Sequence, residues 1–492
     1  GWKSEQWSAL AKRWILDAKC VHVIATPSRV RAKEIQSLKS ERLKKEAPAD
    51  EKEANERENT ISAAVKACAK PPRRSEIERI QVPSVKSIKM HKVSTTTNVP
   101  GSLWSKADGK IPGLEQKDIH SLPFSNIICN IQSKFVDIAS IADVGTIPVP
   151  LRKYIPLLCE LLCKSSIEVD GKILSHEVMI KGLDADTQSN SCGLGLDFGR
   201  FFSGGFCDAV SVMVRVEAKD FSKAVLWMDR LLRSVHFTPS RLRSVCTQLC
   251  TDIMEYKDDP SDVMNIVHES QILKRDCPSR LYNFILQHQF LSNLLKDLQD
   301  SSSMEARNVI DNMETLYKRL FHPSNIVMHT SLDAERLQGS ELIRYWSTAL
   351  DNRFAKFRRK RLSVLKTKKH YTKSHEHRKR ARCAIINMES NESGYLRLTV
   401  PLPPGFSSKH EDYAALRILI QLLVASEGPM WRSIRGKGLA YGYSIYVSRT
   451  QGLLVFTLSR CNNVYAAYNE AKKIVLGFDL NDKDTHRENK RD

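Results

Sequence analysis

The chain has 492 residues, of which 41% are hydrophobic and 27% charged, and its formal net charge is +20 at pH 7. A single hydrophobic core stops growing near roughly 250 to 300 residues, so this length predicts two or three domains. The hydrophobic content is compatible with a globular protein, and the net charge shows a clear basic excess. No window approaches about eighteen consecutive apolar residues, so we expect no membrane-spanning helix in this sequence.

Twelve cysteines occur without a CxxC pair. Cys159 and Cys163 are one helical turn apart in an apolar segment, and Cys246 and Cys250 are spaced in the same way. This pattern predicts reduced structural thiols rather than a disulfide framework, which is typical of short secreted chains. We therefore expect an intracellular location, in the cytoplasm, with the mitochondrion as the alternative.

The first 75 residues predict two different segments. Residues 1–28 combine a helix with a short buried strand at 21–25, and this pair is typical of the tail of a preceding α+β domain. Residues 29–75 are rich in Lys, Glu, Arg and Ala and are interrupted at Pro48, which is costly inside a helix. We predict a helical hairpin linker there, with a coiled-coil partner site as a less favoured interpretation because no heptad repeat is sustained.

Residues 76–345 predict one large domain. Pro148 and Pro150 precede a helix whose apolar residues recur at steps of four and three, and Val210 begins a strand of alternating valines. Thr238 supplies the N-cap of a further helix. The remaining predicted elements are helices at 220–233, 239–256, 261–300 and 303–319 and a buried strand at 325–329. The fold class is therefore α+β, with two-layer domains of largely antiparallel sheet packed with helices.

Residues 346–382 form a predicted basic linker. Fourteen Lys and Arg residues occupy 353–382, where Glu376 is the single acidic residue. Such a run is typical of a solvated segment, although clustered positive charge also suits binding to nucleic-acid phosphates. Aromatic residues are few in this run, so base stacking is weakly supported. Nucleic-acid binding is therefore the minor alternative.

Residues 383–492 predict a second, shorter domain of the same architecture. Its predicted strands are 383–387, 395–401, 441–448 and 453–459, and its predicted helix is 411–426. The segment reaches a wholly polar end after about half the length of the preceding domain. We therefore interpret residues 383–492 as a truncated domain.

The most specific segment lies at 427–448 and reads EGPMWRSIRGKGLAYGYSIYVS. Gly428 and Pro429 end a helix, and a short turn with two glycines leads into a strand. Arg435 lies at the start of this strand and Tyr441 a few residues inside it. The two side chains are therefore expected to point towards a common pocket.

The Arg-Gly-x-Gly-x-Ala-Tyr-Gly motif that begins at Arg435 resembles the fourth-domain motif of pitrilysin/insulinase-type (inverzincin) zinc metallopeptidases, of the presequence-protease-like branch. Residues 77–95, 147–162 and 184–196 are similar to third-domain segments of that branch. The resemblance implies two halves that enclose a chamber, with this chain as the C-terminal, substrate-enclosing half. It also implies that Arg435 and Tyr441 bind the peptide substrate near the scissile carbonyl, where they stabilise the oxyanion.

The zinc chemistry of such peptidases needs an HxxEH helix and a distant acidic ligand. His176, His268 and His410 are each followed by Glu but lack a second His at that spacing, and His375 and His377 lie in the basic run. No metal ligand and no catalytic residue is therefore predicted in this chain. The resemblance implies zinc in the full-length enzyme, bound by an N-terminal half that joins this chain in cis or in trans.

Three functional interpretations follow from the sequence. The first is the peptide-positioning half of a zinc metalloendopeptidase, inactive when alone. The second is a noncatalytic family member that acts as a scaffold. The third is the basic nucleic-acid-binding protein described above.

Overall fold

The computed structural model describes residues 3–17, 28–46, 50–68, 73, 75, 79–81, 84–89, 93–99, 111–122, 124–204, 206–337, 342–346, 383–389, 391–403, 405–449 and 451–477. Contacts divide the chain into one unit within Gly1–Ser87 and a second within Ile88–Phe478. The strand predicted at 21–25 and the basic run at 353–382 lie outside the described residues. The predicted domain boundaries stay predictions.

The first unit is helical. Helix α1 (Ser4–Ala11) continues into a wider helical turn (Lys12–Leu16), and two longer helices follow as α2 (Arg29–Glu46) and α3 (Glu51–Cys68). Acidic residues Glu51 and Glu53 begin α3 and Lys66 lies in its last turn, an arrangement that favours the helix dipole. Helices therefore occupy both sides of Pro48, as the composition predicts.

The second unit contains twelve described strands in three sheets. In chain order they are β1 (Ser94–Thr97), β2 (Ser125–Asn130), β3 (Phe135–Asp143), β4 (Ser166–Val169), β5 (Lys172–Leu174), β6 (Ser189–Leu194), β7 (Ala209–Glu217), β8 (Val235–His236), β9 (Ile326–Leu332), β10 (Gly394–Pro401), β11 (Ala440–Ser448) and β12 (Leu453–Cys461). The largest sheet has the order β1-β2-β9-β3-β7-β6, and the others have the orders β10-β12-β11 and β5-β4-β8. All strand pairs are antiparallel except β2 with β9, which confirms the predicted α+β class.

The two faces of the large sheet differ in exposure. On β3, Ile138 and Ser140 are fully buried, whereas Asp137, Ala139 and Ile141 between them are half-buried. Strand side chains alternate between faces, so one face belongs to the core and the other is partly open to solvent. The alternating valines of β7 are all fully buried, as the sequence predicts: Val210, Val212, Val214 and Val216.

The described helices of this unit supply the rest of the core. They are α4 (Gln116–Ser121), α5 (Val149–Arg152), α6 (Ile155–Leu162), α7 (His176–Asp186), α8 (Phe221–Arg233), α9 (Pro239–Asp258), α10 (Pro260–Ile272), α11 (Pro278–Tyr282), α12 (Phe284–Asp297), α13 (Met304–Leu320), α14 (Asp412–Val424) and α15 (Val464–Leu476). Leu158, Met228 and Leu316 lie in the same apolar cluster as Ile138. Thr238 caps α9 as predicted, because its side chain accepts a hydrogen bond from the Arg241 amide.

Two predicted elements differ from the structure. The helix expected after Pro148 is interrupted at Lys153 and Tyr154, so α5 and α6 are separate. Pro156 accounts for this break, because it lacks an amide donor and its ring would clash with the carbonyl of Arg152. The strand predicted at 383–387 is wrong: these residues are exposed and pair with no described strand. Apolar β-branched residues favour a strand only where a partner strand is available.

Helix α10 joins the large sheet's helical layer to the smaller sheet. His268 Nε2 lies 2.8 Å from Thr399 Oγ1, and Arg397 donates to Asn265 Oδ1 at 2.9 Å. An apolar cluster extends the contact: Cys207, Ile272, Leu273 and Cys277 with Leu453 and Val455 of β12. The smaller sheet is therefore packed directly against the larger lobe. None of the helices that the structure describes is long and apolar enough to cross a bilayer.

Candidate functional site

The candidate site begins where the chain turns from α14 into β11. Glu427 has a φ of 58°, and the chain then forms a short helical turn at Trp431–Arg435. The Gly436 amide donates to the Trp431 carbonyl at 2.7 Å, and Gly438 has a φ of 69°, a conformation that favours glycine. Buried Ile434 anchors this turn, so its neighbour Arg435 is held at the end of the turn, before β11 begins at Ala440.

The structure brings Arg435 and Tyr441 together. The guanidinium carbon of Arg435 lies 4.8 Å from the centre of the Tyr441 ring, and the Tyr441 side chain remains 60% exposed. A cation–π contact at such an exposed place contributes only about 0.5–1 kcal/mol. The contact itself agrees with the predicted convergence of the two residues, whereas their role in substrate binding stays a prediction.

A third residue, Arg460, completes the arrangement. Its guanidinium carbon lies 5.5 Å from the Tyr441 ring centre. Arg460 has a φ of 50°, and the β10–β12 register shifts beside it, so that Ser459 and Arg460 stand opposite Tyr395 alone. Such a bulge redirects a side chain from the regular strand position. Here it accompanies a second guanidinium beside the same phenol.

The charges of this site are not neutralised by carboxylates among the described residues. Neither Arg435 nor Arg460 has an ion-pair partner there, whereas Lys437 binds Glu470 at 2.9 Å. Burial raises the pKa of Tyr443 on the same strand, and the positive charge of Arg435 acts in the opposite direction. The site therefore presents two positive groups and a phenol hydroxyl to solvent, a combination that suits an anion or a polarised carbonyl.

Sequence reasoning missed Arg460. The sequence pattern that could have identified Arg460 is the hairpin formed by the two predicted strands at 441–448 and 453–459. Continuing its observed register, in which Gly442 pairs with Ser459 and Ala440 with Cys461, sets Arg460 opposite Tyr441. The positive φ of Arg460, in contrast, could not be predicted, because no residue pattern in the sequence indicates it.

The described residues do not fit a zinc site. No group of three or more His, Cys, Asp and Glu side chains in the described ranges could hold a metal ion. The histidines weighed in the sequence have other contacts: His176 lies 3.2 Å from Glu177, and His410 lies 3.8 Å from Asp412. His375 and His377 lie outside the described residues.

Comparison with known proteins shows what the C-terminal part of the described residues resembles. The profile of the peptidase M16 inactive domain matches residues 309–479, which include Arg435, Tyr441 and Arg460. Over these residues the chain is similar to the inactive domain of M16 peptidases. The match covers most of α13, β9 and the smaller sheet with its helices, and it does not include α10.

Two curated relatives of this chain are uncharacterized proteins. One, from Schizosaccharomyces pombe, is 25% identical over 96% of this chain and 45% of its own length. The other, from Caenorhabditis elegans, is 24% identical over 72% of this chain and 34% of its own length. The chain thus spans less than half the length of these relatives.

A solved structure agrees with the fold. A protease from Helicobacter pylori superimposes with a TM-score of 0.50 at 12% identity, over 73% of this chain and 79% of that chain. At this identity the likeness describes the fold alone. It supports the layered arrangement of helices and antiparallel sheets in this chain.

Proposed function

We propose that the chain is the substrate-enclosing and peptide-positioning half of a zinc metalloendopeptidase. The zinc site would belong to an N-terminal half, joined in cis or in trans, because the described residues of this chain offer no metal site. The observation that carries the proposal is the exposed Tyr441 ring flanked by Arg435 and Arg460, within the region that matches the M16 family.

The proposed chemistry is electrostatic. Arg435 contacts the Tyr441 ring with its guanidinium, and the donors at the edge of this planar group stay available for a peptide carbonyl. The Tyr441 hydroxyl supplies a further donor. When water attacks a peptide bond, negative charge develops on the carbonyl oxygen, and donors that are already oriented stabilise this charge more than they stabilise the substrate.

The half-buried face of the large sheet supports the enclosing role. It carries an ordered ion pair in which Arg215 donates to Asp137 from Nε at 2.6 Å and from Nη2 at 3.1 Å. Polar side chains alternate there with small apolar ones, and a peptide backbone needs partners of both kinds. We propose that this face forms part of the wall around the substrate.

We also propose that the protein acts in the cytoplasm. The described cysteines between Cys129 and Cys461 form no disulfide, and those in the core lie among apolar side chains. Free thiols of this kind persist in a reducing compartment.

The test is peptide hydrolysis by the chain assembled with its zinc-bearing half. Arg435→Ala should lower kcat/KM for a quenched fluorescent peptide by about 10²-fold, the effect of losing one oxyanion donor. Arg449→Ala removes the same charge from an exposed position beyond the other end of β11 and should leave kcat/KM unchanged. Thermal unfolding of both variants should match that of the unchanged chain. Equal turnover by the two variants would remove Arg435 from the mechanism.

A second variant separates stacking from hydrogen bonding. Tyr441→Phe keeps the ring that contacts Arg435 but removes the hydroxyl, so a fall in kcat at constant KM would identify the hydroxyl as a transition-state donor. If the assembled protein binds the peptide without hydrolysing it, the scaffold interpretation replaces the peptidase.

A further inference from the structure

A thiol and an imidazole meet on the half-buried face of the large sheet. Cys129 Sγ on β2 lies 3.5 Å from His329 Nε2 on β9, and Thr95 Oγ1 on β1 lies 3.5 Å from the same sulfur. The strand register explains the meeting: Cys129 pairs with Ser331 and Ile127 pairs with His329, so the two side chains are diagonal neighbours on one face. All three residues are half-buried.

Other cysteines of the described chain have different surroundings. Burial raises the pKa of Cys163 to about 12, of Cys246 to about 12 and of Cys461 to about 11. A thiol that is neutral at physiological pH reacts slowly, because the thiolate is the nucleophile. Cys129, in contrast, is partly open to solvent and has a nitrogen base within hydrogen-bonding distance of its sulfur.

The position of His329 allows it to act as a base, because its Nε2 lies 3.5 Å from Cys129 Sγ and can accept the proton of the thiol. Desolvation lowers the pKa of His329. Asp137 on β3 acts in the opposite direction on His329. Arg215 on β7 binds both oxygens of that carboxylate and weakens its influence. The residues that face His329 from β1 and β2 carry no charged side chain: Thr95, Thr97, Ile127 and Cys129.

We propose that Cys129 and His329 form a reactive-thiol site that small carbon electrophiles modify. In the reaction His329 Nε2 takes the proton from Cys129 Sγ while the sulfur forms a bond to the electrophilic carbon. The bond from that carbon to its leaving group breaks, and the leaving group departs with the electron pair. An adjacent base activates a cysteine nucleophile in this way. The inference is independent of the peptidase function.

The first test uses iodoacetamide on the unchanged, fully reduced chain. Alkylation of Cys129 and of exposed Cys383 is followed in the same sample by mass spectrometry of their peptides. At pH 7 Cys129 should react at least about tenfold faster than Cys383, because its proton passes directly to a neighbouring base. Between pH 8 and pH 6.5 the rate at Cys129 should also fall less steeply. If Cys129 reacts no faster than Cys383, the site is an ordinary structural contact.

The second test changes the base. His329→Gln keeps a polar side chain that cannot take the proton, and it should slow alkylation of Cys129 about tenfold at pH 7 without changing the rate at Cys383. Thr95→Val is the matched control, since it removes the other neighbour of the sulfur and should have little effect. An unchanged rate in a folded His329→Gln variant would overturn the proposal. If that variant does not fold, the comparison of Cys129 with Cys383 in the unchanged chain decides the question.

Discussion

At the scale of single residues, neighbours on one strand differ according to the face they occupy. Ile138 is fully buried in the core of the large sheet, whereas Ile141 lies half-buried on the other face. We expect Ile138→Ala to lower the free energy of unfolding by about 2–5 kcal/mol, because it removes buried methyl groups and leaves a cavity. Ile141→Ala should lower it by less than half as much. Urea unfolding measures both, and equal losses would contradict the assigned faces.

Arg460 gives a prediction about backbone strain. Its φ of 50° is costly for any side chain with a Cβ, so Arg460→Gly should be more stable than Arg460→Ala by about 0.5–1 kcal/mol. Ser444 lies in regular β11 and serves as the control, because glycine weakens an ordinary strand position and Ser444→Gly should be less stable than Ser444→Ala. Thermal unfolding of the four variants tests whether glycine is more stable than alanine at Arg460 and less stable than alanine at Ser444. If alanine is the more stable substitution at both positions, the backbone at Arg460 is not strained.

The candidate site was partly predictable at this scale. Arg435 and Tyr441 were found because a helix end, two glycines and a strand in fixed order determine where their side chains meet. Arg460 belongs to another strand, and its proximity depends on hairpin register and on a bulge. Local sequence patterns do not specify a bulge, since it depends on pairing with β10 far away in the chain.

At the scale of elements, the contact between α10 and β10 predicts a dependence on pH. Burial raises the pKa of Glu269 to about 7, although the charge of Arg397 acts in the opposite direction. The folded state therefore holds a proton that the unfolded state releases near pH 4.5, and stability should fall as pH rises from about 4.5 to 7. Glu269→Gln is permanently neutral, so the stability of this variant should not fall between pH 4.5 and pH 7 through this group. Melting temperatures at pH 5 and pH 8 test this prediction. The variant should have a higher melting temperature, relative to the unchanged chain, at pH 8 than at pH 5.

Elements with their own periodicity were predictable from the sequence. The alternating valines of β7 and the Thr238 cap of α9 are local signals, and the structure has both elements. The expected helix after Pro148 failed because the apolar pattern continued through Pro156, where the backbone cannot continue the helix. The strand predicted at 383–387 failed for a different reason, since its apolar residues found no partner strand.

At the scale of the whole molecule, removal of metal tests whether the fold of the described residues contains a structural ion. A structural zinc ion contributes about 10–16 kcal/mol, so its removal unfolds a domain that relies on it. The described residues offer no group of ligands for such an ion. Dialysis against EDTA should therefore leave the melting temperature unchanged, and less than about 0.1 zinc per chain should remain by mass spectrometry of the metal content. A lower melting temperature after dialysis would indicate a metal site elsewhere in the chain.

The pairing of β9 also bears on how the chain folds during its synthesis. This strand lies between β2 and β3 in space but follows β3 by almost the whole length of the large lobe, from Asp143 to Ile326. A ribosome adds roughly 5–20 residues per second, so β2 and β3 emerge about 10 to 40 seconds before their shared neighbour. During that interval both strands have open hydrogen-bonding edges that can pair wrongly. Chaperone binding to the nascent chain should therefore be strongest before residue 332 has left the ribosome.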